Sequence, residues 1–181
     1  MVIAVNAVSG GGKTTVANAL HTKLGNSEIL YFNSYGDTDK NIPDIQQWIF
    51  DGANYDLWHL DEMAADIKRL LEKADNSQNI EHIILDYPFG YKQKQIGGYI
   101  NLSVYIDTPL DIALARRIIR DISPQTQVDE IITQLTGYLN ARNAYSYSQL
   151  ENSDADIKID GSLSVNVITN IIIQKIEEYK Y

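Results

Sequence analysis

The chain has 181 residues and a formal charge of −9, from 15 Lys and Arg against 24 Asp and Glu. With 44% hydrophobic residues it can build a core, which excludes a disordered chain, and its length suits a single domain over residues 1–181. So acidic a balance gives no general field for nucleic acid or anionic lipid, and the lack of any Cys excludes disulfides, thiolate nucleophiles and cysteine metal sites.

Val2–Val5 is a β-branched apolar run that reads as a buried strand entering a glycine-rich turn. It has no basic lead of a signal peptide, and no apolar run nears the ~20 residues of a membrane span. The expectation is a cytoplasmic protein without a membrane partner. Thr14–Leu24 carries Val16, Ala17, Leu20 and Leu24 at helical spacing, stopped by Gly25-Asn26. Ile29–Phe32 follows as a second strand, then a short helix around Ile45, Trp48 and Ile49. The stripe Leu60, Met63, Ala64, Ile67, Leu70 and Leu71 predicts a helix over Leu57–Lys73.

Ile80–Leu85 reads as the third strand and Tyr99–Ile106 as the fourth; Gly97-Gly98 before it reads as a mobile loop, as does Ser123–Gln127. Leu110–Arg120 and Val128–Tyr147 are helical, Ala155–Ile159 alternates as a fifth strand, and Ser164–Tyr179 closes the chain as a helix capped by Ser162 or Ser164. Alternating strands and helices predict an α/β domain with a parallel sheet, whose ligands sit beyond the carboxyl ends of the strands.

The first such end holds the strongest motif. Ala7-Val8-Ser9-Gly10-Gly11-Gly12-Lys13-Thr14 fits the phosphate-binding loop, with Ala7 where the pattern prefers Gly. Ser9, Gly10, Gly11 and Gly12 would curl backbone N–H groups around an anion, and the helix at Lys13 would add its positive dipole end. Lys13 would reach the outer phosphates of ATP, with Thr15 beside it, and the Thr14 hydroxyl would bind Mg²⁺. The Asn-Lys-x-Asp signature of guanine readers is absent.

A second cluster follows the fourth strand. Three of the five Arg lie at 116, 117 and 120, and Arg116 and Arg120, four apart, share one helical face. Two guanidinium groups on one face can clamp phosphate oxygens during transfer. The competing reading is a solvated face paired with Asp111 or Asp121.

The run Asp107–Asp121 resembles the start of the lid helix of the uridine kinase family of phosphate-loop nucleoside kinases. Ala7–Thr15 and Ala155–Gly161 are similar to the same family, and Tyr31–Tyr35 more loosely. The resemblance implies a five-stranded sheet of order 2-3-1-4-5 with helices on both faces, a lid here shortened to about 116–127, and an adenine site near Arg116-Arg117 and Asp160–Leu163. It also implies an Asp in the turn after the second strand, where this chain has Asn33. An amide takes no proton at neutral pH, so the base must come from elsewhere. Asp86, at the end of the third strand, ranks first, as base or near Mg²⁺; Asp37 ranks second. For the acceptor the resemblance offers Asp56 on ribose hydroxyls, with Trp58, Tyr55 and Tyr35 as a flat wall; Asn54 or Asp56 as a simple helix cap is the plainer reading, and Trp58 reads equally well as core.

These readings converge on transfer of the γ-phosphate of Mg·ATP to a small-molecule hydroxyl, foremost the 5′-hydroxyl of a nucleoside. Three alternatives stay open: a kinase of the same fold for a nucleotide, sugar or vitamin precursor, a nucleotide-binding regulator without transfer activity, and a nucleotide-gated part of a larger assembly. A homo-oligomer is compatible with all of them. The Tyr138–Tyr147 run reads as helix surface and packing.

Overall fold

The computed structural model describes residues 1–36, 45–76, 79–151 and 154–179. Five strands, β1 (Val2–Asn6), β2 (Ser27–Tyr31), β3 (His82–Asp86), β4 (Leu102–Asp107) and β5 (Ile157–Asp160), form one sheet. Its order is β2-β3-β1-β4-β5 and every pairing is parallel, as the alternating pattern and the resemblance together predict. Seven helices surround it among the described residues: α1 (Lys13–Leu24), α2 (Ile45–Phe50), α3 (Asp61–Asp75), α4 (Lys94–Gly97), α5 (Leu110–Asp121), α6 (Val128–Glu151) and α7 (Val165–Glu178).

Burial of β1 on both faces explains its unbroken apolar run. Ile3 and Val5 enter the core shared with Val16, Ala17 and Leu20 of α1 and Ile168, Ile172 and Ile176 of α7. Val2 and Ala4 point the other way, onto Met63, Ile67 and Leu70 of α3. The alternation follows from the two-residue period of a strand. Register then aligns the carboxyl ends: Val5 pairs with Asp86, Tyr31 with Asp86, and Asp107 with Asp160. The loops beyond these ends therefore gather on one edge of the sheet.

Two local expectations change. Helix α3 begins at Asp61 rather than Leu57, because Tyr55–Leu57 forms a separate tight turn capped by Asn54, whose Oδ1 accepts the Asp56 N–H. Gly97-Gly98 is no loop. Gly97 ends α4, and a Cβ there would lie 2.7 Å from the Tyr91 carbonyl oxygen, so the glycine serves close packing. Ser164 caps α7, accepting from Val167 N.

Candidate active site

The glycine loop lies between β1 and α1 and is shaped by contacts that only glycine admits. Gly10 has φ +80°, and a Cβ on it would sit 2.2 Å from the Ala113 carbonyl oxygen of α5. Gly12, at φ +96°, begins α1 in the left-handed region. Gly11 donates its N–H to the Val8 carbonyl at 2.8 Å, and its own carbonyl accepts from the buried Thr108 hydroxyl at 2.8 Å. Ala7 is buried in the core above this turn, and a Cβ on Gly11 would approach the Ala7 methyl to 2.8 Å. The departure from Gly at position 7 is thus absorbed by packing.

Lys13 and Thr14, in the first turn of α1, both reach Asp86 at the end of β3. Lys13 Nζ lies 2.5 Å from Asp86 Oδ1, and the Thr14 hydroxyl donates to Oδ2 at 2.6 Å. The Asp86 side chain is only 4% exposed and that of Lys13 15%. A buried carboxylate needs such partners, since its desolvation is otherwise uncompensated. Thr14 and Asp86 are adjacent hard oxygen donors, the chemistry that Mg²⁺ accepts. Among the described residues no three His, Cys, Asp or Glu are grouped so as to hold a metal ion.

A cavity of about 790 Å³ opens from this point. One part of its lining comes from the loop and helix start: Ser9, Gly10, Gly12, Lys13, Thr14 and Thr15. Another part is aromatic: Phe32, Trp48, Tyr55, Trp58 and Phe89, with Asn33 beside Phe32. The rings pack edge to face, as the quadrupoles of aromatic rings favour: Trp48–Tyr55 centroids lie 4.9 Å apart, Tyr55–Phe89 5.5 Å and Phe32–Phe89 5.4 Å. The sequence pattern singled out Tyr55 and Trp58 but not Phe32, Trp48 or Phe89, which arrive from three other segments. Behind the wall the Tyr87 hydroxyl is held protonated to well above its usual range, by burial first and then by the nearby Asp56 and Tyr55.

Asn6 anchors the Phe89 loop and was not foreseen. It is fully buried; its Oδ1 accepts from Gly90 N at 3.0 Å, while its Nδ2 donates to Ser103 Oγ and the Val104 carbonyl. A lone polar residue closing a buried apolar strand was the available signal.

The arginines divide. Arg116 lines the cavity and donates to the Gly161 carbonyl at 3.1 Å. Arg120 also lines the cavity, but its guanidinium grips Asp121 through two hydrogen bonds, which hold the Asp121 carboxyl below its usual range. Arg117 turns to α6. It lies over the Tyr138 ring, 3.5 Å from Asp121 Oδ2, and donates to the Tyr145 hydroxyl at 3.2 Å. Tyr145, in the stretch read as packing, also lines the cavity.

Two residues expected at the acceptor end lie elsewhere. Asp56 is absent from the lining of the cavity. One of its oxygens accepts the Lys94 N–H at 3.0 Å and the other lies 3.0 Å from Lys94 Nζ. The backbone hydrogen bond is the main cause of its lowered carboxyl pKa. Tyr35 lines a separate hollow with His59 and Leu60, and its hydroxyl donates to Asp66 at 3.0 Å. The tight turn before α3 points Asp56 at α4, while Tyr35, at the end of the Phe32–Ser34 turn, is drawn to Asp66 of α3. Asp37 lies outside the described residues.

The description of the "Phosphoribulokinase / Uridine kinase family" matches residues 64–167. The chain is 26% identical to a uridine kinase of Chlamydia pneumoniae, covering 99% of this chain and 90% of that protein. It is 29% identical to a uridine kinase of Brevibacillus brevis, covering 77% and 74%. Among solved structures it resembles shikimate kinase from Aquifex aeolicus, with a TM-score of 0.54 at 19% identity over 99% of this chain and 98% of the other. It also resembles deoxyadenosine kinase from M. mycoides, with a TM-score of 0.52 at 19% identity over 98% and 100%. These two likenesses concern the fold. With the family match over more than half of its length, the chain belongs to the phosphoribulokinase / uridine kinase family of phosphate-loop kinases.

Proposed function

We propose that the protein transfers the γ-phosphate of ATP to a hydroxyl of a small molecule, most specifically the 5′-hydroxyl of a nucleoside. The observation that carries this reading is that one cavity joins the glycine loop to an aromatic wall. The loop offers backbone N–H groups and the Lys13 ammonium to phosphates. The wall offers flat apolar faces to a ring. An acceptor stacked there has its hydroxyl directed along the cavity toward Lys13.

In the transfer the acceptor oxygen bonds to the γ-phosphorus, and the bond from that phosphorus to the β–γ bridging oxygen breaks. ADP leaves, and the hydroxyl proton passes to a carboxylate. Asp86 is the first candidate for that carboxylate and Asp37 the second. Arg116 and Arg120 neutralise charge on the departing and transferred phosphates. In the alternative role, with the proton taken at Asp37, Asp86 would join Thr14 in holding Mg²⁺, which would supply charge neutralisation across the outer phosphates.

Asn33 supports a second reading within the same chemistry. It lines the cavity and stands where the resemblance places an Asp, which keeps open a kinase of the same fold for a nucleotide, sugar or vitamin precursor.

A coupled assay of ADP release against nucleosides, sugars and other alcohols tests both readings. Turnover on uridine or cytidine supports the first. Turnover on another alcohol alone selects the second. Tight ATP binding with no turnover on any acceptor overturns transfer and leaves a nucleotide-binding regulator.

A further inference from the structure

The peptide plane between Gly11 and Gly12 is not fixed by its own neighbours. On one side Gly11 donates its N–H to the Val8 carbonyl at 2.8 Å; on the other the Gly12 carbonyl accepts from Val16 N at 2.9 Å as α1 begins. Neither bond involves the plane that joins the two residues. Gly12 sits at φ +96° and, having no Cβ, adopts negative φ as readily. Opposed rotations about Gly11 ψ and Gly12 φ can therefore turn the plane over and leave both flanking hydrogen bonds in place. In one orientation the Gly12 N–H faces the cavity, which Gly12 lines. In the other the Gly11 carbonyl faces it. The first offers a donor to an anion, and the second offers an oxygen that repels one.

Thr108, the residue after β4, decides between the two. It is fully buried, and its hydroxyl donates to the Gly11 carbonyl at 2.8 Å. A trans peptide points its C=O and its N–H in opposite directions. With the carbonyl held on Thr108, the Gly12 N–H is turned away from Thr108, to the side of the cavity. Thr108 is braced in turn by Gly161, just beyond β5. A Cβ on Gly161 would overlap Thr108 Oγ1 and stand 2.8 Å from Thr108 Cβ. The Gly161 N–H donates to the Asp107 carbonyl at 3.0 Å, which holds that backbone against the threonine. A β-branched side chain so confined has little freedom about χ1.

We propose that Thr108 is a positioning residue for phosphate binding, locking the Gly11–Gly12 peptide with its N–H toward the nucleotide. This role rests on the reading of the glycine loop as the site of the ATP phosphates. It brings in a residue from a strand end 97 positions away from the loop. A plane already turned toward the anion is preorganised, so binding does not have to select it.

Thr108→Val keeps the shape of the side chain and removes the donor, while Thr108→Ser keeps a hydroxyl. The Gly12 amide in a ¹H–¹⁵N spectrum of the ligand-free chain reads the plane directly. It is expected to shift or broaden in Thr108→Val and to return toward its original position in Thr108→Ser. Calorimetry with ATP and with inorganic tripolyphosphate reads the consequence. Both affinities should fall about three- to tenfold in Thr108→Val, the worth of one neutral hydrogen bond, and recover in Thr108→Ser. Should Thr108→Val fail to fold by circular dichroism, Thr108→Ala also lacks the donor and carries the same expectations.

Tripolyphosphate has no base, so an equal loss on both ligands places the effect at the phosphates. A loss on ATP alone would place it at the Gly161 turn and overturn the role. An unmoved Gly12 amide in Thr108→Val overturns the lock, whatever the affinities. A wild-type chain that binds neither ATP nor tripolyphosphate would overturn the kinase reading together with the phosphate role of Thr108, whereas wild-type binding that Thr108→Val leaves intact would overturn the role of Thr108 alone.

Discussion

The Lys13 ammonium and the Asp86 carboxylate meet at 2.5 Å across the end of the sheet, one from the first turn of α1 and one from the last residue of β3. Each is the other's main compensation for burial. Replacing Lys13 with Ala leaves Asp86 without its cation, and breaking such a pair from one side costs about 3 kcal/mol. The variant should also lose about 10–100-fold in ATP affinity, the worth of one charge-assisted hydrogen bond. Adding Asp86→Asn should restore much of the melting temperature and none of the affinity. Thermal melts and calorimetry with ATP separate the two effects; unchanged ATP affinity in Lys13→Ala would remove the basis of the functional reading.

Gly10 and Gly25 share a positive φ but differ in their surroundings. A Cβ at Gly10 meets the Ala113 carbonyl at 2.2 Å, while at Gly25 nothing lies within 4 Å. Gly25→Ala should cost only the conformational penalty of about 1–2 kcal/mol and leave ATP binding intact. Gly10→Ala must also push α5, and with it Arg116, away from the loop. Its expected signature is a larger loss of stability together with weakened ATP binding. Equal effects of the two substitutions in both assays would show that α5 does not rest on Gly10.

The clasp between Asp56 and Lys94 predicts a pH response. Hydrogen bonding to the Lys94 backbone N–H first, and then to its side chain, holds the folded carboxyl below the usual carboxylate range. A lowered folded pKa means stability that is present above the unfolded value and lost as pH falls through the ordinary carboxylate range to the folded one. The pair is exposed, so the loss is under about 1 kcal/mol. Trp58, two residues along, should report loosening of the turn as a change in fluorescence on acidification below that range, and Asp56→Asn should remove the acid transition from the signal. Persistence of the full transition in Asp56→Asn would assign it to another carboxylate.

Asn33 offers a gain-of-function test. It is exposed to the cavity and carries no ionisable group. If the reaction lacks a well-placed base, Asn33→Asp should raise kcat on a nucleoside about tenfold or more, within the range of general-base contributions, and add a carboxylate limb to the pH–rate profile. A kcat unchanged or lowered, with an unaltered profile, would place an effective base elsewhere, at Asp86 or Asp37.

Much was legible in the residues because it depends on near neighbours. The β-branched run Val2–Val5, the three glycines and the Lys13-Thr14 pair lie within fourteen residues, so the strand, turn and helix start follow from local preferences. The stripe of α3 and the alternation of β5 are equally local. The cavity wall was not legible in the same way. Phe32, Trp48 and Phe89 are ordinary apolar positions until the sheet order and the turn before α3 bring them against Trp58. Asp56 looks like any acid near a helix start until α4 supplies Lys94.

By itself, then, the sequence determined the strand–helix alternation, the phosphate loop and the family, since each is carried by residues adjacent in the chain or by a pattern repeated along it. Only the tertiary structure decided which rings share the cavity with the loop, which acid is diverted to Lys94, and which hydroxyl holds the Gly11 carbonyl. Those are contacts between residues tens of positions apart, and they exist only once burial of the two sheet faces has set the register of every strand.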